Sequence, residues 1–143
     1  MATPTNLILV PVDFEAASMK ALRIAKDLAA RLGGEVVIAH VYQLPVYTYP
    51  GLEPSIMPGF HAEVTSAAER AVSALAQQEG NVRAVLRQGD PATEILAAAD
   101  ELKASMIVMG THGRQGLAHL ILGSVAERVL RKSTVPVLSV RVE

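Results

Sequence analysis

Residues 7–12, LILVPV, form an unbroken apolar run. The lack of alternation predicts a strand covered on both faces, as in a parallel sheet. Helical spacing follows: Ala21, Leu22, Ala25, Leu28, Ala29 and Leu32 share one stripe, and Gly33 and Gly34 stop it. Residues 35–41, EVVIAHV, predict a second strand. Past an interruption at 44–60, Val64, Ala68, Ala71, Val72 and Leu75 predict a helix over about 61–79, ended by Gly80, with a third strand at 82–86. Asp90 and Pro91 mark a helix start, since aspartate can accept from free first-turn amides and proline lacks only an N–H that has no partner there. Ile95, Leu96, Ala99 and Leu102 form that helix's inward stripe. A fourth strand at 106–109, a last helix at Ser124–Lys132 and a last strand at Val137–Val140 complete the pattern.

Strand and helix alternate with short joints, which predicts a single-domain α/β fold over 1–143, doubly wound, with helices on both faces of a parallel sheet. There is no internal repeat and no linker. The interruption, LPVYTYPGLEPSIMPGF, carries four of the eight prolines. It fits neither a central strand nor a regular helix, so it is expected as a loop: a lid over a site or a surface insertion. Composition narrows the classes. Half of the 143 residues are apolar and 19% are charged, as in an ordered domain. The net charge of −1 gives no global field toward nucleic acid or an anionic membrane, so neither is expected as a partner and any anion site must be local. The absence of cysteine excludes disulfides and thiolate chemistry. The N-terminus has no basic start, and no segment offers the roughly 20 apolar residues of a spanning helix, so a soluble cytoplasmic protein is expected.

Open parallel sheets bind ligands beyond the carboxyl ends of their strands, where the winding reverses. Two segments bring suitable chemistry to such ends: Pro11, Val12 and Asp13 after the first strand, and GTHGRQGLAHLILGSV, residues 110–125, after the fourth. The second contains neither GxxxxGK[ST] nor GxGxxG. It places Gly110, Gly113, Gly123 and Ser124 at intervals, with the last two where the final helix still has unpaired amides. Glycine backbone can approach a ligand closely, and a helix start with a serine hydroxyl suits phosphate. A plain strand end and helix cap account for the same residues. Asp13 is either a helix cap or a ligand contact, and Arg114 either meets phosphate oxygens or solvent. Arg128, Arg131 and Lys132 complement the last helix dipole. His40, His61, His112 and His119 show no metal-ligand spacing, so no protein metal site is expected; Mg or Mn would enter only with nucleotide phosphates. Ser124 lacks the surroundings of a nucleophile, and no catalytic residue is assigned.

The spacing G-x2-G-x9-G-[ST] resembles the nucleotide signature of ATP-binding members of the universal stress protein family. LILVPVDF, ALRIAKDLAARLGGEVVIAHVY, GDPATEIL and GSVAERVLRKSTVPVLSVR are similar to successive family segments, so the likeness covers nearly the whole chain. It implies strand order 3-2-1-4-5 with ATP between strands one and four. Carried over by position, it implies that Asp13 contacts the adenosine portion, lined by Pro11, Val12 and Val41. Met109, Gly110, Thr111, His112 and Gly113 would follow the ribose and phosphates, and Gly123, Ser124 and Val125 would hold the phosphates. Two positions depart from the pattern: Glu15 stands where a capping serine is common, and Ala126 where some members carry a hydroxyl. The likeness also implies a homodimer through Val137, Leu138, Ser139 and Val140. A regulatory ATP-binding module is the leading reading. A nucleotide-independent interaction protein and a slow ATPase or phosphotransferase using His112 and Asp13 are the alternatives.

Overall fold

The computed structural model describes residues 6–44, 50–51, 60–111 and 123–142. Its elements run β1 (Leu7–Pro11), α1 (Ala16–Leu32), β2 (Glu35–Tyr42), α2 (Phe60–Gln78), β3 (Arg83–Gln88), α3 (Pro91–Glu101), β4 (Met106–Gly110), α4 (Ser124–Lys132) and β5 (Val137–Val140). All strand pairs are parallel, in the order β3-β2-β1-β4-β5. The doubly wound α/β fold and its strand order therefore stand as the sequence and the family likeness implied.

β1 is central, and every one of its residues is buried, as its unbroken apolar run requires. Alternate residues serve two cores. Leu7 and Leu9 pack with Val37, Ile95, Ile107 and Val129 beneath α3 and α4. Ile8 and Val10 pack with Leu22, Ala25, Ile38 and Val108 beneath α1. A large aliphatic side chain fully buried in this way stabilises the fold by about 1.5–3 kcal/mol. Gly33 takes φ +68° and closes α1 in the left-handed conformation that glycine adopts without penalty. Among the described residues, no helix is long and apolar enough to cross a membrane.

The sheet splits where β1 meets β4. Ile8 stands opposite Met106 and Leu9 opposite Ile107, and the pairing goes no further. On the other side, β1 stays paired with β2 through Pro11 opposite Ala39. Proline has no N–H to give a ladder, so a proline closing a central strand is tolerable where one neighbour has already parted. β1 accordingly ends at Pro11 rather than Val12, and the Val12 amide makes a last bond to the Ala39 carbonyl at 2.8 Å.

Candidate functional site

Asp13 leaves β1 into a tight turn. Its Oδ1 accepts from the Glu15 amide at 2.9 Å and from the Ser18 hydroxyl at 2.7 Å. The Asp13 amide donates to Ser18 Oγ at 3.2 Å, and that hydroxyl also lies 3.1 Å from the Glu15 carbonyl. Glu15 is the N-cap residue of α1 and makes no side-chain cap bond. Where the family likeness puts a capping serine, Glu15 thus leaves the helix start without a side-chain cap, and Asp13 organises the turn instead. Phe14 takes φ +66°, and its ring lies 4.8 Å from that of His40. His40 Nδ1 is 2.8 Å from the Val12 carbonyl. A carbonyl only accepts, so that nitrogen carries the proton.

Gly110 closes β4 and is not in the left-handed region. Its lack of a side chain serves packing: a Cβ there would sit 2.7 Å from the Ala17 carbonyl carbon and Cβ, and 2.8 Å from the Ser18 amide nitrogen. The constraint at this glycine comes from the first turn of α1 against the end of β4.

Thr111 follows. Its amide donates to the Val140 carbonyl at 2.9 Å, and its own carbonyl accepts from the Gly123 amide at 2.8 Å. Its side chain is different: Thr111 is 3% exposed, and Oγ1 has no hydrogen-bond partner among the described residues. A buried hydroxyl without a partner is costly, on the order of 1–3 kcal/mol. Gly123 caps α4 with extended backbone and no side-chain hydrogen bond. The first-turn amides of Ser124, Val125 and Ala126 have no acceptor within their own helix, and the positive end of its dipole lies with them.

α3 starts as its sequence predicts. Asp90 Oδ2 accepts from the Thr93 amide at 3.0 Å and from the Thr93 hydroxyl at 2.7 Å, with Pro91 in the first turn. Asp90 Oδ1 accepts from Arg128 at 3.0 Å, tying the start of α3 to α4. The Arg128 guanidinium and the Thr93 donors hold the Asp90 carboxyl well below its ordinary value. The same pair raises Arg128. Arg128 therefore bridges two helices rather than only complementing a dipole.

These pieces surround one cavity of about 470 Å³, within the ~300–1,000 Å³ usual for small-molecule sites. Pro11, Val12, Asp13, Val41, Met109, Gly110, Thr111, Gly123, Ser124 and Val125 all line it. His112, Gly113 and Arg114 lie outside the described residues, as do the apolar stretch 117–121 and most of the proline-rich segment. Four lining residues escaped the sequence reading: Ser18, Ala39, Pro91 and Ile95. Pro91 and Ile95 were legible only as a helix start and a core stripe, and Ser18 sits in a helix turn with no motif around it. Ala126, the position at which the family likeness puts a hydroxyl in some members, also lines the cavity and brings no hydroxyl to it. No cluster of three histidine or acidic side chains suits a metal among the described residues. A groove of about 600 Å³ at the opposite strand ends is bordered by Asp100, Lys103 and Lys132 and shares none of this chemistry.

The sequence model of the Universal stress protein family matches residues 5–141. Universal stress protein MJ0531 of Methanocaldococcus jannaschii is 33% identical over 137 residues, covering 94% of this chain and 81% of that one. Universal stress protein YxiE of Bacillus subtilis is 34% identical over 146 residues, covering 95% and 99%. Among solved structures, a universal stress protein in complex with cAMP is 26% identical, with a TM-score of 0.60 over 97% of this chain and 98% of that one.

Proposed function

This chain belongs to the universal stress protein family, and on that premise we propose that its cavity binds an adenine nucleotide, with ATP the expected ligand. The observation that carries the reading is one of polarity. The uncapped start of α4 and the acidic Asp13 line the same cavity. Amides and a helix dipole suit phosphate at one end, and a carboxylate suits the donors of a nucleoside at the other. Thr111, which lines the same cavity with an unpartnered hydroxyl, offers a further polar contact. The relative solved with cAMP supports the adenine class.

In this reading Asp13 meets the adenosine portion, with Pro11, Val12 and Val41 against it. Met109, Gly110 and Thr111, followed in sequence by His112, Gly113 and Arg114, run beside ribose and phosphates. Gly123, Ser124 and Val125 hold the phosphates, and Mg or Mn enters with them. The protein works in the cytoplasm as a nucleotide-dependent regulatory module. It acts as a homodimer through Val137, Leu138, Ser139 and Val140: β5 is a sheet edge, and Leu138 is 39% exposed on it. Two experiments test the ligand. Protein purified from cells is denatured and the released small molecules are identified, and nucleotide-free protein is titrated with ATP by calorimetry. Adenine nucleotide in the first or saturable heat in the second supports the reading; neither appearing overturns it.

A second reading, a nucleotide-independent interaction protein, draws on Gly110, whose missing side chain is explained by packing against α1. It requires the same calorimetry to be silent while partner binding survives Gly113→Val.

A further inference from the structure

We propose that Ser18 is a positioning residue for nucleoside recognition: it locks one oxygen of Asp13 and leaves the other as a fixed acceptor. The proposal rests on the nucleotide reading above and adds to it the atom that selects.

Asp13 Oδ1 is engaged by the Ser18 hydroxyl at 2.7 Å and the Glu15 amide at 2.9 Å. Oδ2 has no partner among the described residues, and no salt bridge there neutralises the carboxylate. The Ser18 hydroxyl has one proton, and the short bond to a charged acceptor claims it over the 3.1 Å Glu15 carbonyl. Ser18 is 4% exposed, so water barely competes for that bond. Gly110 makes the arrangement possible by letting the first turn of α1 lie against the end of β4. From the β2 side, the Ala39 carbonyl and the His40 ring hold Val12 in place. With two hydrogen bonds on Oδ1, the carboxylate is hindered from rotating to offer a different face, and a carboxylate has only acceptors. Such a site favours a ligand bearing an N–H or O–H at this spot and disfavours one presenting a lone pair, since two facing acceptors leave both unsatisfied. On a purine nucleotide the donor is the base exocyclic amine or a ribose hydroxyl.

The test is a calorimetric series of ATP, inosine triphosphate, 2′-deoxy-ATP and 3′-deoxy-ATP against wild type, Ser18→Ala, Ser18→Thr and Asp13→Asn, with melting curves for each protein. Wild type is expected to bind one analogue about tenfold more weakly than ATP, the one lacking the donor that Asp13 reads. Ser18→Ala still folds cooperatively, with a lowered melting temperature because the Asp13 amide loses its acceptor, but narrows that gap to about threefold or less, and Ser18→Thr, which retains the hydroxyl, preserves it. Inosine triphosphate as the weak ligand identifies the amine, and a deoxy analogue identifies a hydroxyl. A gap that persists unchanged in Ser18→Ala overturns the proposal while leaving nucleotide binding intact. Equal weakening of all four ligands marks Ser18 as structural and overturns it too. Wild type that binds none of the four overturns both this proposal and the nucleotide reading.

Discussion

At the scale of single residues, Asp13 and Gly110 are informative because each has two duties. Asp13 organises the entry to α1 through Oδ1 and lines the cavity. Asp13→Ala is expected to lower ATP affinity by at least tenfold in calorimetry and also to depress the melting temperature, since the Glu15 amide loses its acceptor. Gly110→Ala places a methyl group against backbone atoms of Ala17 and Ser18 rather than against a flexible side chain. Its expected cost is about 1–3 kcal/mol in urea denaturation, with the m-value unchanged. The position of Gly110 was legible in the sequence, as were those of the other lining residues on β1, β4 and α4. Its reason was not, because a glycine required by a neighbouring helix and one required by a ligand look the same in a string of letters. Ser18 was illegible for a similar cause: its partner lies across a turn shaped by Asp13, five residues earlier.

Among elements, legibility followed the strength of local signals. α4 and β5 have their expected bounds, and α3 begins where Asp90 and Pro91 place it. α1 begins at Ala16, ahead of the apolar stripe that starts at Ala21, because Glu15 supplies no capping side chain to advertise the start. β3 runs to Gln88, past its expected end at 86: pairing with β2 extends through Arg87 and Gln88 beyond the last apolar residue. Arg87 is held there by Glu94 at 2.9 Å and by Glu101 at 2.6 Å. The α3 start also has a pH signature. The native Asp90 carboxyl titrates below its ordinary 3.8, so the folded state binds this proton less readily than the unfolded chain. Its contribution is complete above about pH 5 and is lost as pH falls through the unfolded and then the folded pKa. Asp90→Asn keeps the cap and removes the charge. Thermal melts are expected to show a modest loss at pH 7 and a shallower decline below about pH 5 than in wild type.

For the whole molecule, assembly and ligand act on one frame. If β5 pairs across a two-fold axis, light scattering gives twice the 15.1 kDa chain mass. Leu138→Lys, on an exposed edge position, then shifts the protein toward monomer with its fold retained. ATP at a hundred times its dissociation constant is expected to stabilise the native state by about 2.7 kcal/mol, read as a rise in melting temperature that a silent site would not give. The early parting of β1 from β4 bears on how the chain acquires this frame. Everything from β1 to β3 can pair as it leaves the ribosome, each strand beside one already made. β4 must instead come back to the oldest strand in the sheet, and contacts so distant in sequence are slow to form. The cavity straddles that long-range join, with walls from both the early and the late parts of the chain. A molecule seated there would favour completed chains over half-built ones, and its presence during synthesis should raise the yield of folded protein.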